Sequence, residues 1–191
     1  MKKRNASQRE PSKFEVFLTR IAFLLYGRSI YKDFAYRLPL SGNERVMDFG
    51  SGVGTVAYYT SQRLPDGHLT CVDISKRWLS ACRKTMRRRE NVEFVQSEAQ
   101  ASGFDNGTYD MVYCHFVLHD MQDDELIHAI CIIAGCIKTG GYFIFREPLI
   151  ETEKLNIVKC LADKNGLSLK NSRVIDIPLM GNSLESIYIK L

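Results

Sequence analysis

The sequence predicts an α/β fold: a seven-stranded, mostly parallel sheet with helices on both faces, finished by a C-terminal hairpin that supplies one antiparallel strand. Three observations carry this. Short runs rich in Val, Ile and Phe alternate with helical stretches of ten or more residues between Arg45 and Asn165, the pattern of strands joined by helical crossovers. Those strands are apolar nearly throughout, as burial on both faces requires. The last two runs, "LSLKNSRVIDIPL" and "LESIYIKL", have no helix between them, so they pair as a hairpin.

The elements follow in order. Met1 to Pro11 is polar and basic. From Ser12, the residues Phe14, Phe17, Leu18, Ile21, Leu24 and Leu25 recur at three- and four-residue steps until Gly27, which predicts a helix. A second short helix is expected over Ser29–Arg37, and "LPLSGNE" is a turn-rich link. "RVMDF" reads as a strand, Val53–Leu64 as a helix, and "HLTCVDI" as the next strand after the turn "PDG". Ser75 caps a helix that runs to about Arg89. "VEFVQ" and "YDMVYC" are strands, Asp123–Ile137 a helix, "GGYFIFREP" a strand and Glu151–Asn165 a helix stopped by Gly166. The chain thus divides into an N-terminal basic tail and helical segment, residues 1–40, and a sheet domain, residues 41–191, within a single globular unit.

Charge and cysteine content narrow the function. Residues 1–40 carry nine Lys or Arg against three acids, so the net charge of +4 becomes about −2 over the remainder. The sheet domain is therefore not a basic nucleic-acid binder. The six cysteines include no C-x-x-C pair and several sit in apolar runs, as small hydrophobes do; we expect them reduced and the protein cytoplasmic. "IAFLLY" and "AICIIAGCI" are too short to span a bilayer.

The chemistry begins at "VMDFGSGVGT", Val46 to Thr55. Ligands of open α/β sheets bind beyond the carboxyl ends of the strands, and glycines there let the backbone turn tightly and a ligand approach. Gly50, Gly52 and Gly54 give G-x-G-x-G, with Thr55 at the position of the third glycine of a dinucleotide fingerprint; this disfavours an NAD-dependent oxidoreductase. No Lys lies nearby to make a P-loop. Asp73 ends the second strand, nineteen residues after Gly54, where an acid can accept both hydroxyls of a ribose. Glu98 and the segment "YCH" end the third and fourth strands. Polar residues at four successive strand tips suit a nucleoside lying across the sheet edge.

In order and spacing, "VMDFGSGVG", "CVDIS", "VQSEA", "YDMVYCHFVLHD" and "IKTGGYFIF" resemble the class I S-adenosylmethionine-dependent methyltransferases, in the small-molecule branch that includes quinone-biosynthesis enzymes. The resemblance covers Arg45 to Glu147 and implies a Rossmann-like fold with S-adenosyl-L-methionine as cofactor. It implies that Gly50, Gly52 and Gly54 hold the methionine end, with Asp48 at the loop's entry. It also implies that Asp73 takes the ribose, Ile74 packs on the adenine, Glu98 accepts from the adenine amino group, Ala99 offers its N–H to the ring, and the Cys114 carbonyl faces the ammonium. Glu98 stands where Asp is common, and Thr139 where Pro usually precedes the paired glycines.

Methyl transfer aligns a nucleophile with an activated carbon; a base is needed only if the nucleophile must lose a proton. His115 and His119, four apart in "CHFVLHD", are the candidates, with His119 open to a purely structural role. No third ligand accompanies them, so no metal is expected. The N-terminal helix reads three ways: as a lid over the acceptor site with Tyr26 or Tyr31 closing the pocket, as a peripheral membrane contact, or as a partner interface. "RKTMRRRE" reads first as a solvated helix face. The expected acceptor is small or lipid-like, with nucleic acid disfavoured. The alternatives are methylation of tRNA, rRNA or protein, and a cofactor-binding, non-catalytic partner subunit.

Overall fold

A computed structural model describes residues 10–97, 104–178 and 181–191, the side chains of residues 27–29 excepted. Seven strands form one sheet: β1 (Arg45–Phe49), β2 (His68–Asp73), β3 (Val92–Gln96), β4 (Tyr109–His115), β5 (Ile137–Pro148), β6 (Leu167–Ile177) and β7 (Gly181–Lys190). Their order is β3-β2-β1-β4-β5-β7-β6. Only β7 is antiparallel, to β5 on one side and β6 on the other, so the hairpin inserts its second strand into the sheet and leaves its first at the edge. The chain leaves β3 at one edge and returns at β4 beside β1, which puts the topological switch point between the tips of β1 and β4.

The helices are α1 (Lys13–Tyr26), α2 (Asp33–Arg37), α3 (Thr55–Thr60), α4 (Lys76–Thr85), α5 (Asp123–Cys136) and α6 (Thr152–Lys164). A π-helical segment, Gly27–Lys32, joins α1 to α2 where a short helix was expected. Ser75 caps α4, accepting from the Trp78 N–H at 3.1 Å. Gln122 and Glu125 form a capping box on α5. Two boundaries differ from expectation. Gly54 takes φ +80°, which holds Val53 and Gly54 in the turn and delays α3 to Thr55. The fifth strand starts at Ile137, directly after α5, because a register shift between Tyr109 and Met111 lets Ile137 pair with Tyr109 ahead of the paired glycines.

Successive strand residues face opposite ways, so the sheet builds two cores. Met47, Val112, Cys114, Phe143 and Phe145 meet Leu126, Ile130 and Val158 on one face. Val46, Cys71, Met111, Tyr113 and Ile144 meet Val56, Ala57, Cys82 and Met86 on the other. That second core also takes Phe34, Ala35 and Leu38. Residue 40 is therefore no packing boundary: at about 1.5–3 kcal/mol for each large buried side chain, the sheet's stability includes residues from the N-terminal segment.

Two arginines fasten that segment. Arg63 donates to the carbonyls of Ala35 and Leu38, both at 2.7 Å, and of Leu40 at 3.2 Å. Arg146, on β5 and fully buried, donates to the Ile30 carbonyl at 3.1 Å and to Glu185 at 2.7 Å, with its guanidinium 4.7 Å from the centre of the Phe34 ring. Glu185 is also bonded by Arg37 and Arg173.

Candidate active site

The glycine loop leaves β1 and is pinned to β2: the N–H groups of Gly50 and Ser51 both donate to the Val72 carbonyl, at 2.8 and 2.9 Å. All three glycines have positive φ, a conformation that costs other residues roughly 1–2 kcal/mol. Their surroundings differ. A Cβ on Gly50 would stand 2.4 Å from Val117, and one on Gly54 2.7 Å from the Cys82 sulfur, whereas one on Gly52 would meet nothing within 4 Å. Gly50 and Gly54 are thus close-packed, and Gly52 faces open space at the tip of the loop.

Asp73, at the tip of β2, closes the other side. It accepts from the Gly52 N–H and from the Ser75 N–H, each at 2.9 Å. Burial raises its pKa, opposed by those two N–H groups. Two bonds leave a carboxylate with acceptor sites to spare. Ile74 beside it is half-buried. Asp48 lies deeper; burial pushes its carboxyl up to about 7, with the negative charge of Asp73 adding to the effect. Cys114 is buried near the tip of β4, in register with Phe145. Glu98 and Ala99 lie outside the described residues.

The loop after β4 carries the second half of the site. Phe116 has φ +58°, the only non-glycine residue among those described with positive φ, and strained backbone of this kind clusters at functional sites. His119 follows in a short 3-10 turn, with Nδ1 2.5 Å from Oε2 of Glu147. Glu147, at the tip of β5 and buried, also accepts from the Val117 and Leu118 N–H groups, both at 2.8 Å. Burial works to lower the pKa of His119, but the Glu147 carboxylate holds it above its ordinary value. His115 is different. Its ring lies 5.6 Å from Tyr31, 4.9 Å from Phe34 and 4.6 Å from Phe116. Burial, with Arg146 nearby, holds it well below its usual pKa, as a neutral imidazole.

The structure therefore gathers Gly50, Gly52, Gly54, Asp48 and Asp73 on the β1–β2 side. On the β4 side Tyr31 meets His115, and the Phe116 ring stands between His115 and His119. Tyr26 ends α1, half-buried. Three participants were not anticipated from sequence. Glu147 carried one available signal, an acid ending the strand next to the fourth. Phe116 carried none. Glu10 accepts from Ser75 Oγ at 2.7 Å and from the Lys76 N–H at 3.0 Å, bringing the N-terminal segment to the start of α4 beside Asp73.

Comparison with known proteins agrees with this fold. A family described as "Methyltransferase domain" matches residues 46–141. This is half the chain, from β1 to the paired glycines. The chain belongs to the class I S-adenosylmethionine-dependent methyltransferases. It is similar to the ubiquinone/menaquinone biosynthesis C-methyltransferase UbiE of Idiomarina loihiensis, with 29% identity over 119 residues, 59% of this chain and 47% of the relative. It spans less than half the length of the curated relatives it matches. In fold it is similar to an S-adenosylmethionine-dependent methyltransferase from Aquifex aeolicus (TM-score 0.72, 16% identity, 94% and 100% of the two chains). It is also similar to a TehB-like methyltransferase from Corynebacterium glutamicum (TM-score 0.73, 12% identity, 94% and 100%).

S-adenosyl-L-methionine is the methyltransferase's cofactor, and the residues fit it. Gly52 leaves clear the space that a side chain would fill. The Asp73 carboxylate keeps acceptor capacity, and two buried polar atoms near the strand tips, Ser51 Oγ and His115 Nε2, have no partner among the described residues.

Proposed function

We propose that this methyltransferase methylates a small or lipid-like acceptor, with His119 as general base and Glu147 holding it in place. The carrying observation is the His119–Glu147 contact of 2.5 Å on a loop whose Val117 packs against Gly50. When bound, the cofactor supplies a methyl carbon already activated by its sulfonium. The protein's part is to seat it, exclude water and remove a proton from the acceptor. In this reading Gly50 to Gly54 and Asp48 surround the methionine end, with the Cys114 carbonyl toward its ammonium. Asp73 takes the ribose, Ile74, Glu98 and Ala99 take the adenine, and Tyr26 and Tyr31 lie on the acceptor side.

A buried carboxylate bonded to Nδ1 fixes the tautomer with the proton on that nitrogen and leaves Nε2 basic. The rings of Tyr31, Phe34, His115 and Phe116 form a wall suited to a planar, apolar acceptor. The UbiE relatives are named for C-methylation in quinone biosynthesis, which favours a small molecule over a nucleic acid. The test is calorimetric titration with S-adenosylmethionine, then a screen of phenolic and quinol acceptors, tRNA and protein for release of S-adenosylhomocysteine. Saturable binding lost in Asp73→Ala and turnover on a phenol or quinol support the reading; turnover on tRNA or protein alone refutes it.

A further inference from the structure

Helix α1 is turned the wrong way for a core helix. None of its residues is buried, and Phe14, Phe17, Leu18, Leu24 and Leu25 are 47 to 80% exposed. At 100° per residue, these five and Ile21 fall within an arc of about 120°. The helix's one acid, Glu15, lies outside that arc; Ser12 caps the helix by donating its own N–H to Glu15 at 2.5 Å and accepting the Glu15 N–H at 3.1 Å. The inward side is held by Phe23, whose ring lies 5.8 and 5.9 Å from those of Tyr58 and Tyr59. A contiguous apolar face of this kind is rare on a surface that meets only water.

One edge of that face is cationic. Lys13 and Arg20 flank the arc, and beyond Arg20 a groove of about 790 Å³ opens between α1 and α4, lined by Arg20, Phe23 and Leu24 on one side and by Arg83, Lys84 and Arg87 on the other. Arg88 is exposed beside them. An apolar stripe with cations along its margin is the design of a helix that lies in a bilayer interface, stems in the acyl boundary and charges among the headgroups.

We propose that α1 and the adjoining basic groove dock on a membrane surface containing anionic lipids. Charge complementarity chooses this occupant. RNA would pair with the arginines but leave the apolar stripe bare. A second copy packed through the same face would cover the stripe but bring no acid to the basic margin, because the one acid of α1, Glu15, lies outside that face. An anionic bilayer satisfies both halves. Docked this way, the width of α1 separates the membrane from Phe23 on the helix's inward side, whose ring is 6.1 Å from Tyr31, itself 5.6 Å from His115. An acceptor dissolved in the bilayer would pass one helix to reach the aromatic wall; that consequence rests on the proposed function, but the docking does not.

The test is co-sedimentation of the full chain with phosphatidylcholine vesicles, with and without phosphatidylglycerol. We expect binding only to the anionic vesicles, weakened by salt. Phe17→Ser/Leu24→Ser should abolish it. Arg83→Gln/Arg87→Gln should weaken it about 25-fold, about fivefold per cation. Unchanged S-adenosylmethionine titration in both variants shows that they are folded. Equal binding to neutral and anionic vesicles, or no vesicle binding by the parent chain, overturns the proposal. So does a dimer in the ultracentrifuge that Leu24→Ser abolishes without vesicle binding, or an RNA shift that Arg83→Gln/Arg87→Gln abolishes without it. Because vesicle binding needs no turnover, its failure is distinct from failure of the methyl-acceptor reading.

Discussion

Replacing Glu147 by Gln tests the proposed base most directly. The carboxylate serves four donors: the Val117 and Leu118 N–H groups on Oε1, and on Oε2 the His119 Nδ1 at 2.5 Å and, more weakly, the His119 backbone N–H at 3.4 Å. A glutamine can keep its oxygen toward the two backbone N–H groups, which places its NH₂ against Nδ1. That nitrogen must then accept, so the proton moves to Nε2 and the base is lost. Bonds to a charged acceptor contribute about 1.5–3 kcal/mol and neutral ones about 0.5–1.5. The two retained backbone bonds should therefore lose about 1 kcal/mol each, roughly 2 kcal/mol of stability in all. General-base catalysis contributes about 10²–10⁴, so kcat should fall by that factor.

Two measurements check this. An NMR titration of the four histidines should show His119 titrating above its ordinary value of 6.5 in the parent. In Glu147→Gln it should fall, because burial is then opposed only by the more exposed Asp120 and Glu151. The sign for stability follows. A histidine whose folded pKa is raised contributes stability fully present below its unfolded pKa and lost as pH rises through the folded one; the variant should lack that loss. A kcat within threefold of the parent, or an unmoved His119 titration, would refute the reasoning.

Three further outcomes are expected. Gly52→Ala should fold at a cost of about 1–2 kcal/mol yet lose the thermal shift given by S-adenosylmethionine, whereas Gly50→Ala, which collides with Val117, should lose both stability and binding; melting curves with and without cofactor separate them. Because burial holds the Asp48 carboxyl at about 7 and a cationic ligand favours its anion, cofactor affinity should rise by up to tenfold per pH unit below pH 7 and level off above it, and Asp48→Asn should flatten the calorimetric profile. Glu185→Ala leaves the buried Arg146 charge only the longer contact to Asp33, at 3.4 Å, and should cost about 3 kcal/mol by urea denaturation, the low end for a broken buried pair. Burial works to raise the Glu185 pKa, but Arg37 and Arg146 hold it below 4.5, so the parent's share of this stability is present above pH 4.5 and lost as pH falls through the lowered value.

What the sequence revealed were features written locally. The strands were legible because burial on both faces makes them short apolar runs, and the glycine loop because three positive φ angles in five residues leave few other choices. Asp73 was legible as the acid that ends the next strand. Glu147 was not, because its role comes from β5 lying beside β4, which brings it to His119, 28 residues away in the chain. Arg146 carries no local signal of its partner, because β7 must insert beside β5 to deliver Glu185, 39 residues on. Periodicity located the stripe of α1, but a period cannot say which way a helix faces. That depended on Phe23 finding Tyr58 and Tyr59.

The two halves of the site are mechanically joined, and the join sets how any Glu147 variant must be interpreted. Val117 touches Gly50 through its side chain and is held by Glu147 through its N–H. The carboxylate thus positions both the base and the residue that packs under the glycine loop. If its effect on catalysis runs only through His119, then His119→Ala and His119→Ala/Glu147→Gln should show the same kcat, because the second change has nothing left to misplace. If it also runs through Val117, the double variant should bind S-adenosylmethionine more weakly than His119→Ala. Cofactor titration then reads the loop and kcat reads the base, so the two paths are measured separately.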